Sequence, residues 1–226
     1  MDLLDLTTRV LARRESPTDP LRIVQAGHPA LRVRSRDWDG QLPAAVLTEL
    51  VEAMTLTMRH APGVGLAAPQ VGIPLRLVVM EDRVQPGEES EHDPLERRGM
   101  PLRCVLNPEY EVLGDERVYF WEGCLSVDGW MSLVPRGRRV RMRAQELRAD
   151  GTIIPAEEEL TGWSARIVQH ETDHLAGTLC HDRSVPRSLV RDHYTSRYAD
   201  LTEAVRFLGL EGDVTRLDPG EVVLRP

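Results

Sequence analysis

Gln169-His170-Glu171-Thr172-Asp173-His174 constrains this 226-residue chain more than any other stretch, because its two histidines can serve one centre only if the segment is helical. Residues four apart share a helix face, so both imidazoles reach one cation while the intervening carboxylate reaches a water beside it. The chemistry this pattern suggests is metal-assisted hydrolysis. Thr161 stands where an N-cap belongs, and Gly177 where such a helix would stop.

Composition narrows the setting. Hydrophobic residues make up 41% and charged ones 28%, no apolar run approaches the length of a bilayer span, and the length suits one domain with a substantial core. The opening Met1-Asp2-Leu3-Leu4-Asp5 carries early acids and no unbroken apolar segment. Neither a secretory signal nor a transit peptide is therefore expected, and the cytoplasm is the expected compartment. The three cysteines, Cys104, Cys124 and Cys180, are too few for a disulfide framework and suit a reducing compartment. Every one of the 28 basic residues is arginine, which excludes Schiff-base and lysine-base mechanisms. A net charge of −8 argues against gripping phosphate backbones. Arg139, Arg141 and Arg143 alternate with Val140 and Met142, which reads as a half-buried strand with a solvated arginine face rather than a nucleic-acid patch.

Along the chain, residues 1–20 have apolar positions for a short helix, but Pro17 and Pro20 break the pattern, and a loosely attached extension is expected. Helical spacing follows from Leu42 to Met54, with Pro43 suited to a first turn and Pro62-Gly63 closing the region. Leu75 to Met80 reads as a buried strand. Residues 81–101 bring Pro86-Gly87, a cluster of acids and Pro94, the composition of a mobile surface loop. Strand-like runs lie around 102–106, 109–113, 116–121, 131–134 and 138–148, parted by turn signals at Asn107-Pro108, Gly114-Asp115 and Asp150-Gly151. The expected fold is α+β: mostly antiparallel sheets around the His-Glu-x-x-His helix, with an N-terminal helix and a helical or extended C-terminal tail.

A catalytic site of this type commonly has three protein ligands, so a third must join His170 and His174. Cys180 completes the spacing His-x-x-x-His-x-x-Gly-x-x-Cys, that of a metzincin protease. The methionine turn of those enzymes is missing, however, since the last methionine is Met142, and Cys180 reads better as a small buried hydrophobe. Cys124, in Glu122-Gly123-Cys124-Leu125-Ser126 at the end of a strand-like run, is the other candidate. A third segment, Gly63-Val64-Gly65-Leu66-Ala67-Ala68-Pro69-Gln70, sets two glycines where a substrate backbone could lie close and ends on a neutral amide able to donate to an oxyanion.

Together the three segments resemble the signature motifs of peptide deformylase, in that family's order, and the similarity extends over roughly residues 20–185. The resemblance implies a catalytic domain over 21–185 flanked by extensions at 1–20 and 186–226. Cys124, His170 and His174 would then bind one divalent metal, Fe(II) by expectation, with Zn(II), Ni(II) or Co(II) as substitutes. Glu171 would be the general base that takes a proton from water as it attacks the formyl carbon of an N-formylmethionyl peptide, and then gives it to the departing amine. The oxyanion would be held by the metal, the Gln70 amide and the backbone N–H of Leu125. Substrate would pair as an extra strand near Val64 and Gly123 to Leu125, its methionine side chain among Val64, Gly65, Phe120, Trp163 and Ile167. The implied partners are formylated peptides and nascent chains, met by a monomer. Transient ribosome association fits the family, but residues 200–226 hold six acids against three arginines and offer no strong basic docking element. Several relatives carry an arginine seven residues after the cysteine, where this chain has Met131. Two rivals stand beside this reading: a metalloprotease using Cys180, and a non-catalytic binder of protein N-termini.

Overall fold

A computed structural model of the chain describes residues 2–84, 95–198, 200–210 and 221–223. Four α-helices are placed among them: α1 (Leu3–Leu11), α2 (Ala44–His60), α3 (Gly162–Leu175) and α4 (Leu201–Phe207). Nine strands among the described residues form two sheets. The first runs in the order β1 (Gly65–Ala67), β2 (Leu77–Asp82), β3 (Met100–Val112), β6 (Arg139–Leu147), β7 (Ile153–Thr161), antiparallel throughout. The second runs β8 (Val190–Arg191), β5 (Trp130–Gly137), β4 (Arg117–Gly123), β9 (Glu221–Val223), with only β9 parallel to its neighbour. This is the α+β arrangement read from the sequence.

Helix α3 packs on the first sheet because Ala165, Ile167, Val168 and Leu175 face inward, into a cluster with Ala67, Val78, Val105, Val140 and Met142. Burying a side chain of this kind stabilises by roughly 1.5–3 kcal/mol, so the helix bearing both histidines sits on a rigid platform. On its other flank α2 supplies Leu47, Leu50, Met54 and Met58 to a second cluster. Helix α1 joins that cluster through Leu3, Val10 and Leu11, and it corrects the expectation of a loosely attached extension. Pro17 and Pro20 turn the chain without releasing it, since Leu21 donates its N–H to Thr57 Oγ1 at 2.8 Å and Arg14 pairs with Glu49 at 2.5 Å.

Other expectations shift in instructive ways. Asn107-Pro108 is not a turn between two strands but a bulge inside one, where the register passes from Leu106 opposite Gln145 to Glu109 opposite Arg143. Asn107 adopts a left-handed φ of 50°, and its side-chain amide brackets the Trp38 backbone, accepting from its N–H at 2.7 Å and donating to its carbonyl at 2.9 Å. The arginine face of β6 is a strand face as expected, neutralised by acids on its neighbours: Arg139 and Arg141 meet Glu159, and Arg143 meets Glu157. Of the expected loop at 81–101, residues 85–94 lie outside the described residues. Its flanks are anchored, because Arg97 grips Asp82 with two bonds of 2.8 and 2.9 Å and the Trp163 N–H donates to the Leu95 carbonyl at 2.7 Å. Beyond residue 186, α4 buries Leu201, Ala204 and Val205 with Tyr119, Trp121 and Leu133 of the second sheet.

Candidate metal centre

Three chain segments converge at one place. The first is β1 and the single 3-10 turn after it (Ala68–Val71), which ends in a left-handed Gly72 at φ 85°. This turn fixes Gln70: its Oε1 accepts from the Ala67 N–H at 2.8 Å, so its Nε2 points the other way, to 3.7 Å from Cys124 Sγ. The second is the turn after β4, where the Ser126 N–H donates to Cys124 Sγ at 3.4 Å and the Val127 N–H to the Cys124 carbonyl at 2.9 Å. The third is α3 itself, which sets His174 Nε2 3.2 Å from His170 Nε2 and 3.3 Å from Cys124 Sγ.

These spacings suit a shared cation. A tetrahedral centre with metal–nitrogen bonds near 2.0–2.1 Å and a metal–sulfur bond near 2.3 Å separates its ligand atoms by about 3.3–3.5 Å. The donor atoms of Cys124, His170 and His174 all lie within 4.8 Å of one another. A second triple, Glu122, His170 and Cys180, meets the same distance limit, but its carboxylate is already committed to two arginines. Cys180 thus stands near His170 without joining the pair of histidines as the metzincin spacing would require.

Around these groups lies a buried charge network. His170 Nδ1 is 2.7 Å from Glu122 Oε1, which leaves its Nε2 facing the centre. Glu122 is held by Arg136, at 2.6 and 3.1 Å, and by Arg166 at 2.8 Å. Arg136 reaches on to Asp173 at 2.5 Å, and Asp173 also receives Arg183 and the Tyr110 hydroxyl. Gln169 clasps the end of β5, accepting from the Gly137 N–H at 2.9 Å and donating to its carbonyl at 2.8 Å. The motifs read from the sequence contain Glu122, Asp173 and Gln169 but gave them no task, and Arg136 stood outside them. For the three inside, that placement was the available signal.

The network sets protonation. Burial works against the Glu122 carboxylate, but Arg136 and His170 hold it well below the usual range. Burial likewise opposes the His170 charge, yet the neighbouring Cys124 and Glu122 raise it well above an ordinary imidazole. His174 is pushed down to about 4 by burial and by His170, so its ring is neutral. The neighbouring Cys180 thiol and His170 lower the Cys124 thiol against the cost of burial. A thiolate with a neutral and an exchangeable imidazole is a donor set from which a cation displaces protons. Burial raises the Glu171 carboxyl.

Two glycines also make room for neighbouring side chains. A Cβ on Gly65 would stand 2.3 Å from Glu171 Oε1, so its bareness makes room for that carboxylate. A Cβ on Gly123 would meet Met131 Sδ at 2.5 Å. A cleft of about 510 Å³ opens over the centre, lined by Val64, Gly65, Gly123, Leu125, Trp163 and Ile167 among others. Phe120 lies behind that lining and packs edge-on against Trp163 at 6.5 Å.

The family model for polypeptide deformylase matches residues 20–189. The chain belongs to that family. Peptide deformylase 3 of Streptomyces avermitilis is 52% identical over 170 residues, spanning 75% of this chain and 74% of its own. The peptide deformylase of Bifidobacterium adolescentis is 44% identical over 193 residues, 84% of this chain and 86% of its own. A Met-Ala-Ser-bound crystal structure of a class I type b peptide deformylase from Acinetobacter baumannii superposes with a TM-score of 0.62 at 32% identity, covering 74% of this chain and 99% of that one. The activity that goes with the family is metal-dependent hydrolysis of the N-formyl group from N-formylmethionyl polypeptides, with release of formate. Among the described residues no helix is long and apolar enough to cross a membrane.

Proposed function

We propose that deformylation is carried out by Glu171, Gln70 and Leu125 around one divalent cation held by Cys124, His170 and His174. The observation that carries this reading is the convergence of Gln70 Nε2, Cys124 Sγ and the two Nε2 atoms, from three separate segments, at spacings of 3.2–3.7 Å. When bound, the cation supplies Lewis acidity toward the formyl oxygen and makes a neighbouring water easier to ionise. Fe(II) is the proposed native ion. The Glu171 carboxylate takes one proton from the attacking water and passes it to the amine as the C–N bond breaks, a double duty favoured by its raised pKa. The Gln70 amide, oriented by Ala67, and the Leu125 N–H donate to the developing oxyanion.

The substrate chain would lie between two open edges. β1 is an edge strand of the first sheet, and the described part of β9 covers β4 only from Arg117 to Tyr119. An extended peptide placed there has backbone partners near Val64 and Gly123, with its methionine side chain toward Trp163 and Ile167. The peptide bound to the Acinetobacter enzyme is consistent with this class of ligand. A cytoplasmic monomer meeting nascent chains, with transient contact to the ribosome at most, is the proposed setting.

Anaerobically prepared, iron-loaded protein offered formyl-Met-Ala should release formate and free Met-Ala. Cleavage of an internal peptide bond would favour the protease reading, and binding without product would favour a non-catalytic role.

A further inference from the structure

Gln25 stands outside the lining of the cleft, yet it clasps the turn that carries a proposed oxyanion donor. Its Nε2 donates to the Leu125 carbonyl at 3.1 Å, and its Oε1 accepts from the Asp128 N–H at 3.2 Å. Only this orientation of the amide satisfies both, since a carbonyl can only accept and an N–H can only donate. The Leu125 carbonyl and the Ser126 N–H are the two ends of one planar peptide unit. Gln25 grips the first end, and the second donates to Cys124 Sγ at 3.4 Å. The preceding unit, which carries the Leu125 N–H, is held by the Val127 N–H donating to the Cys124 carbonyl at 2.9 Å. Gln25 is itself fixed. Its carbonyl accepts from the His28 N–H at 3.0 Å, closing a tight turn through Gly27, whose φ of 103° is of the left-handed kind that the third residue of a type II turn needs. Its neighbours extend the clasp, because the Ala26 N–H donates to the Ser126 carbonyl at 2.8 Å and the Val24 N–H to the Gln70 carbonyl at 2.9 Å. Three consecutive residues thus join the turn of Leu125 to the turn of Gln70, the two pieces of chain that bring the protein's own oxyanion donors.

We propose that Gln25 is a positioning residue for deformylation, setting the turn from Leu125 to Asp128 so that the Leu125 N–H and the Gln70 amide meet one oxyanion. This role rests on the catalytic reading of those two donors. The oxyanion develops only as the formyl carbon is attacked, so a misplaced donor lowers kcat and kcat/KM together and leaves KM near its starting value. Losing a whole donor costs about 100–1,000-fold. With Gln25 removed, the bonds from Ala26 and Val127 still hold the turn, so the donor is displaced rather than lost, and the expected cost is about 10–100-fold. Gln25 is exposed, so water can take over both of its bonds and the fold survives the substitution.

The test compares iron-loaded wild type, Gln25→Ala, Gln25→Met, Gln41→Ala and Gln70→Ala for metal content, for kcat and KM with formyl-Met-Ala, and for hydrogen–deuterium exchange across residues 124–130. Gln25→Met keeps the length of the side chain without either hydrogen bond. Gln41 is the control, because it makes the same two-ended clasp in a turn outside the cleft, donating to the Asp37 carbonyl at 2.7 Å and accepting from the Asp39 N–H at 2.9 Å. Both Gln25 variants should keep metal, exchange faster at 124–130 and lose kcat about 10–100-fold with KM near wild type, while Gln41→Ala keeps its rate. Full kcat in both Gln25 variants, a loss explained by missing metal or by a raised KM alone, a rate loss with unchanged exchange, or an equal loss in Gln41→Ala would each overturn the proposal. Gln25 variants that behave as expected beside a fully active Gln70→Ala would count against the catalytic reading of Gln70 alone, and leave Gln25 acting through Leu125.

Discussion

Glu122 Oε1 stands 2.7 Å from His170 Nδ1, so the residue two places before the candidate ligand cysteine orients a candidate ligand histidine 48 positions further along. The link ties the β4 turn to α3, and it makes Glu122 a positioning residue. Glu122→Gln keeps the size and one acceptor oxygen but loses the charge that faces Arg136 and Arg166. Metal affinity should fall about 10–100-fold, the usual cost of losing such an outer partner, as read by chelator competition. Glu122→Ala leaves the buried Arg166 guanidinium without a carboxylate and Arg136 with Asp173 alone, and should destabilise by about 3–5 kcal/mol, as read by urea unfolding. Unchanged metal affinity in the Gln variant would remove Glu122 from this role.

Glu171→Ala should retain metal while turnover falls on the order of a hundredfold or more, because the carboxylate handles protons and does not ligate. Metal content and formate release, measured on the same sample, decide it. Protein purified without metal would make Glu171 structural or a ligand.

Gly65→Ala tests the close approach of β1 to α3. The new methyl would fall 2.3 Å from Glu171 Oε1 and must displace the carboxylate. A misplacement of about 1 Å can cost roughly a hundredfold in rate, so formate release should drop while metal is kept. Gly114→Ala, where nothing stands within 4 Å but φ is +75°, strains only the backbone of a distant turn; it should cost some stability and leave formate release near wild type.

These cases mark what the sequence made legible. The His170/His174 helix was readable because a four-residue spacing has one structural meaning, and Cys124 and Gln70 stood inside short motifs. The task of Gly65 was not readable, since a glycine in a strand reports close approach without saying of what. Strand β7 was missed because Ile153–Thr161 is a largely solvent-facing edge carrying Glu157, Glu158 and Glu159, which erases the apolar alternation. β3 was split in two because Asn107-Pro108 signals a turn equally well as a bulge. The packing of α1 was hidden by Pro17 and Pro20, which end a helix but say nothing about where its apolar face goes.

Cys104 supplies a pH signature away from the centre. Burial, helped by Glu146, pushes its thiol from 9.0 up to about 12. A folded-state value above the unfolded one means that the native protein holds the proton longer. The stability this gives is present below pH 9 and is lost as pH rises from 9 toward 12. Thermal midpoints of Cys104→Ala should therefore fall less steeply than wild type across that window. Parallel curves would show that Cys104 does not titrate as described.

The choice between Cys124 and Cys180 as the third ligand is the centre of the account, and metal content per chain in the two alanine variants, prepared anaerobically, tests it most directly. Cys124→Ala leaves two protein ligands and should lose both metal and formate release. Cys180→Ala should keep both under reducing conditions, with a packing penalty within about 0.5–3 kcal/mol. Metal retained by Cys124→Ala and lost by Cys180→Ala would contradict the site proposed for this chain.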